Sequence, residues 1–145
     1  MRNSLKSGLA LLFIITASSI AAKYFFIKKN TADVVVRHQA FQAETVSSPA
    51  DREKGLGGRD SLCEHCAMLF DFPSEGRYAF RMKGMEFNLD IIWISGGKIA
   101  YIARNIPHSF KETVDSPVPA DMVLEINAGL SDKYHFQEGD DVKVN

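Results

Sequence analysis

Two cysteines stand three residues apart in Cys63-Glu64-His65-Cys66, and the 145-residue chain has no others. Such a pair permits a disulfide, a thiol-redox couple or half of a metal site. A redox couple needs one thiol acidified by a helix N-terminus or a nearby cation. Here Cys66 leads into Ala67-Met68-Leu69-Phe70, which reads as a strand, so no helix dipole is expected. Zinc needs four ligands, usually with a second Cys or His pair. His65 lies inside the motif, but His38, His108 and His135 are scattered, so Cys63, Cys66 and His65 are weak metal candidates. The plain alternative is a structural clasp. The loop it closes is tiny, so its stabilisation falls at the low end of the roughly 0–5 kcal/mol range of disulfides. No cofactor can be named from these residues.

A second set consists of polar side chains inside apolar runs: Asp90 within Leu89–Ile94, Lys83 at the end of an alternating run, and Glu125 within Val123-Leu124-Glu125-Ile126. A lone buried carboxylate is costly unless it is paired or keeps its proton. Lys83, Arg81 and Arg59 are the partners expected for Asp90. The functional reading is a ligand-binding cluster of Arg59, Lys83, Asp90 and Glu125 at the mouth of the domain. Met85, in the loop-like segment Lys83–Asn88, is expected to be exposed there as a contact residue. The alternative is a structural salt bridge, or outward alternation for Glu125.

The elements that must position these groups are mostly short strands. Val34-Val35-Val36 and Phe41–Val46 read as a hairpin, and Ser48–Gly55 as a short helix with Ser48 as N-cap, Pro49 in the first turn and Gly55 as the stop. Met68–Phe72 reads as a strand ending at the turn Pro73–Gly76. Tyr78–Lys83 alternates, with Tyr78, Phe80 and Met82 on one face. Leu89–Ile94 is apolar throughout, as a strand buried on both faces would be, and Gly96-Gly97 joins it to Lys98–Arg104 in a hairpin. Residues 105–120 form a Pro-punctuated loop. Asp121–Ile126, a short helix within Ala128–Tyr134, and Val142–Val144 complete the chain. About seven strands and one or two short helices predict a mainly β, compact antiparallel sandwich or barrel-like domain.

Charge divides the chain. Residues 1–29 hold five Lys and Arg and no acidic residue, whereas residues 30–145 hold 12 basic against 18 acidic side chains, a formal −6. An acidic fold argues against a nucleic-acid partner. The first segment is a signal peptide or signal anchor. Residues 8–22 are uncharged and mostly apolar, and Tyr24–Ile27 extend the apolar character to 20 residues, enough for an apolar helix to span a bilayer. The expected arrangement is membrane attachment through residues 8–27 with residues 30–145 outside the cytoplasm. Secretion after cleavage near Ala21 is the alternative.

No nucleophile elbow, phosphate-binding loop, dinucleotide fingerprint or HExxH motif is present. One set of phrases is nonetheless specific in order and spacing. Glu53–Leu62 precedes Met68-Leu69-Phe70. Phe80–Lys83, Leu89–Ile92, Val123–Ile126, Ala128-Gly129, Gly139-Asp140 and Val142 then follow. This series resembles the family called domain of unknown function 192, uncharacterised bacterial and archaeal proteins. The resemblance implies a compact β-domain, often exported or membrane-tethered, and no established reaction. Arg81, Gly84 and Asn88 depart from the family's pattern. The functional expectation is a tethered or exported β-domain that binds a ligand or partner, with a thiol-redox or metal-dependent enzyme centred on the CxxC pair as the alternative.

Overall fold

A computed structural model describes residues 31–145. The expected apolar helix and signal or anchor of residues 1–29 lie outside the described residues. Nine strands and two short helices follow one another: β1 Thr31–Val36, β2 Gln39–Val46, α1 Pro49–Lys54, β3 Cys66–Gly76, β4 Phe80–Arg81, β5 Leu89–Ser95, β6 Lys98–Ile106, β7 Thr113–Val114, β8 Ala120–Asn127, α2 Leu130–Lys133 and β9 Val142–Val144. Among the described residues no helix is long and apolar enough to cross a membrane.

Seven strands form one curled sheet in the order β6-β5-β8-β3-β2-β1-β9, and β4 and β7 form a separate two-stranded ribbon. The curl brings the two edges together. Lys98 at the start of β6 bridges Asp141 just before β9, and Ile99 N–H donates to Asp140 O at 2.9 Å. The architecture is therefore a half-barrel rather than two stacked sheets. It is also not wholly antiparallel, because β2 and β3 run parallel, Gln42 opposite Cys66 through Val46 opposite Phe70. A parallel neighbour requires a crossover of about a dozen residues or more. The connection that contains α1 supplies it.

Local signals explain the elements. Ser48 Oγ accepts the Asp51 N–H at 3.1 Å, closing the N-cap of α1. Gly96 and Gly97, with φ of 56° and 71°, form the two-residue turn between β5 and β6, the left-handed pair that a tight hairpin demands. The turn expected at Pro73–Gly76 lies instead within β3, which continues past an irregularity between Asp71 and Gly76 while still paired to β8.

Two apolar layers cover the sheet. The concave side holds Val34, Val36, Phe41, Ala43, Ala67, Leu69, Ile92, Ile94, Leu124 and Ile126, closed by Leu130 and Phe136. The convex side holds Met68, Phe70, Ile91, Trp93 and Val123, roofed by Leu56, Met82, Met85 and Val114 from the surrounding segments. β5 and β8 lie in the interior of the sheet and are covered on both sides, which is why Leu89–Ile94 carries no apolar/polar alternation.

Candidate functional site

Strand register sets up one row across the convex face. Glu44 on β2 opposes Met68 on β3. Met68 opposes Glu125 on β8, and Glu125 opposes Ile91 on β5. Glu125 is thus directed away from the concave core, as alternation requires, but not into solvent. It is 5% exposed, and its Oε2 is buried without a hydrogen-bond partner. Burial pushes the Glu125 carboxyl up to about 8, so it carries a proton at neutral pH. The expectation of outward solvent exposure fails because a second layer is packed on this face.

Two glycine-containing loops build part of that layer. Gly58 N–H donates to Gly84 O at 2.8 Å, and both residues have positive φ, 74° and 73°. A Cβ on Gly57 would sit 3.1 Å from Lys54 O and 3.4 Å from Lys83 O, so the backbones pack closely enough there that any side chain would have to push a neighbour aside. This contact fixes Leu56 and Met85, 1% and 8% exposed, in the convex layer. Met85 is therefore roof and not the exposed loop contact expected of it, because its loop folds inward against residues 57–58. Lys83 is exposed and forms no ion pair among the described residues.

Arg59 grips Glu44 with both guanidinium nitrogens, at 2.6 and 2.7 Å. The Arg59 hydrogen bonds hold the Glu44 carboxyl below the usual carboxylate range, and Glu44 in turn raises the guanidinium. A charged pair thus stands at one end of the row whose middle is Glu125. Glu44 escapes a motif search, although the alternation Phe41-Gln42-Ala43-Glu44 already places it opposite the core.

Asp90 is not in this cluster. It is fully buried on the concave side, accepting Asn105 N–H at 2.7 Å and Ser131 N–H at 2.8 Å. Its partners are backbone amides of β6 and α2, not the expected Lys83, Arg81 or Arg59. Successive residues of a strand face opposite sides, which separates Asp90 from Glu125 and Arg59 by the thickness of the sheet.

Cys63 and Cys66 are joined as a disulfide. Cys63 is exposed and Cys66 half-buried at the start of β3. Asn127 Nδ2 donates to Leu62 O at 2.9 Å and Cys63 O at 3.1 Å, tying this loop to the end of β8. Glu64 pairs with Lys133, and His65 Nδ1 lies 3.2 Å from Gln39 Nε2. His65 is engaged there rather than with the two sulfurs. Among the described residues no group of three or more His, Cys, Asp and Glu is placed to hold a metal ion. An open depression of about 250 Å³ lies elsewhere, lined by residues including Arg37, His38, Tyr134 and His135.

Comparison with known proteins is consistent with this architecture. Two solved structures are similar. One, a protein from Sinorhizobium meliloti 1021 described as a candidate transcription regulator, is 30% identical with a TM-score of 0.72, over 79% of this chain and 92% of that one. The other, a protein of unknown function from Novosphingobium aromaticivorans, is 27% identical with a TM-score of 0.72, over 78% of this chain and 83% of that one. No curated protein matches. Residues 28–144 match the DUF192 family, described as uncharacterized ACR, and the chain belongs to that family.

Proposed function

We propose that this chain is a membrane-tethered binding module whose domain works outside the cytoplasm and takes a small ligand on the convex face, at Glu125. The observation that carries this reading is the buried Glu125 Oε2 with no hydrogen-bond partner. A buried polar atom left unpaired costs about 1–3 kcal/mol, which a ligand's N–H would recover. The surrounding methionines suit an apolar ligand body, since thioether side chains adapt to irregular shapes. The glycine contact between residues 57–58 and 83–84 is where the roof opens to admit it. The compartment is supported by the apolar stretch of residues 8–27 and by the disulfide, a bond that persists in oxidising surroundings. The formal −6 of residues 30–145 favours a small ligand over nucleic acid.

The test is a titration with short n-alkylamines and n-alkylamides, following the Met68 and Met85 methyl resonances. Saturable shifts are expected in the wild type, with at least about tenfold weaker binding in Glu125→Leu. Equal binding by both proteins, or no shifts with either series, would overturn the assignment. Protease accessibility of the domain in intact cells tests its side of the membrane.

A further inference from the structure

We propose that Cys63–Cys66 is a redox-active disulfide, reduced by a dithiol, with the Glu125 carboxyl as proton donor to the departing Cys66 sulfur. The two groups are neighbours by register. Met68 on β3 is directly opposite Glu125 on β8. Cys66 precedes Met68 by two residues, and the alternation of β3 (Ala67 and Leu69 concave, Met68 and Phe70 convex) puts Cys66 on the convex face with Glu125. Such diagonal neighbours lie about 7–8 Å apart, within reach of a long side chain or one bridging water. Asn127, two residues beyond Glu125, holds the Cys63 carbonyl at 3.1 Å and so keeps the disulfide loop against the same end of the strand.

The two sulfurs are unlike in the way an exchange reaction uses. Cys63 is exposed and open to attack, while Cys66 is half-buried beside β8. No helix N-terminus stabilises a Cys66 thiolate, because β3 begins at that residue. A proton source must take its place, and Glu125, pushed up to about 8 by burial, still holds its proton at neutral pH. The charged and titratable groups on the elements around it include Glu44 on β2, Asp71 and Glu75 on β3, Asp121 on its own strand and face of β8, Asp90 on the opposite face of β5, Arg59 and Lys83 on the roofing loops, and Glu64 and His65 in the disulfide loop. Met68 and Ile91, its direct neighbours on β3 and β5, carry none.

The step balances as follows. A thiolate of the dithiol attacks Cys63 Sγ, and the Cys63–Cys66 bond breaks with its electron pair on Cys66 Sγ. Glu125 gives that sulfur its proton and is reprotonated from solvent. The dithiol's second thiolate then attacks the mixed disulfide, releasing Cys63 as a thiol with a solvent proton. One dithiol is oxidised to a disulfide, and one protein disulfide is reduced to two thiols. This chemistry shares the face of the proposed ligand site but needs no ligand there, so loss of amine binding would leave it standing.

The experiment measures reduction of the full-length protein in detergent by dithiothreitol from about pH 6 to about pH 10, dividing each rate constant by the reagent's thiolate fraction. The wild type is expected to be constant at low pH and to fall about tenfold around pH 8, with Glu125→Gln flat at the lower level. Superimposable profiles would overturn the proposal. Should Glu125→Gln not fold, the wild-type Glu125 carboxyl ¹³C resonance decides. Its proton affinity is expected to differ at least about twofold between disulfide and dithiol forms, and equality would overturn the proposal.

Discussion

Asp90 on β5 accepts the backbone N–H of Ser131 at 2.8 Å, tying the interior of the sheet to the first turn of α2. Its other oxygen takes Asn105 N–H at 2.7 Å, so one buried carboxylate satisfies two amides that lie 15 and 41 residues away in sequence. Replacing Asp90 with alanine strands both donors in the concave core. Hydrogen bonds to charged groups contribute about 1.5–3 kcal/mol each, so urea denaturation of Asp90→Ala is expected to show a loss of about 3 kcal/mol or more. The reduction rate of the disulfide is expected not to change, because Asp90 faces the opposite side of the sheet.

Glu125 makes stability depend on pH in an unusual direction. In the native state it keeps its proton until about pH 8, whereas its ordinary value is 4.5. Between those values the folded protein binds more protons than the unfolded one, so stability falls as pH rises through this window and levels off above it. The loss is on the order of a few kcal/mol across the window. Glu125→Gln, neutral throughout, is expected to remove this slope, which denaturation midpoints at pH 5, 6.5 and 8 (about evenly spaced over the window) would show.

Glu44 carries the opposite sign. Its hydrogen bonds from Arg59 lower its pKa, so their contribution is present at neutral pH and is lost as pH falls through the lowered native value. Both side chains are substantially exposed, 35% for Arg59 and 50% for Glu44, and solvent screens the pair. Arg59→Ala is therefore expected to cost less than about 1 kcal/mol at neutral pH, with a smaller effect in high salt. A loss of several kcal/mol would show that the pair holds the roof over Glu125 closed.

Gly57 tests the loop contact itself. Its missing Cβ leaves room for Lys54 O and Lys83 O, which would lie at 3.1 and 3.4 Å from an added methyl. Gly57→Ala is expected to press first on Lys54 O in its own turn and only secondarily on Lys83 O, at a cost of about 1–2 kcal/mol, and to speed hydrogen exchange at the Gly58 amide. Gly58→Ala meets no atom within 4 Å but must adopt φ near 74°, so it serves as a strain-only comparison of about 1 kcal/mol.

These elements also mark how far the sequence can be read. The Ser48 cap, the Gly96-Gly97 hairpin and the buried strand Leu89–Ile94 rest on neighbours within a few residues, and pattern alone locates them. Family membership likewise follows from ordered phrases along the chain. The parallel pairing of β2 with β3, the turning of β3 through Pro73 and the amide partners of Asp90 depend on distant segments, to which periodicity is blind. Glu125 shows the limit most directly. Alternation correctly sets it opposite Leu124 and Ile126, but only the folded roof of residues 56–59 and 82–85 decides that this side is dry. The same roof withdraws Met85 from solvent.

The curl of the sheet has a consequence for how the domain keeps to itself. An open sheet offers its outermost backbone amides and carbonyls to any extended chain, the usual starting point of strand-by-strand association. Here the start of β6 and the turn before it are paired with residues 139–142, through Gly139 N–H to Ile99 O at 2.8 Å and Val142 N–H to Gly97 O at 2.8 Å. Farther along, α2 and the three residues after it lie beside the same strand, with the Arg104 side chain bonded to Asp132 and to Phe136 O, and the Asn105 side chain to Asp132. The start of the strand that would otherwise template a second copy is occupied by the chain's own residues 139–142, which makes resistance to edge-on association in part a property of that segment.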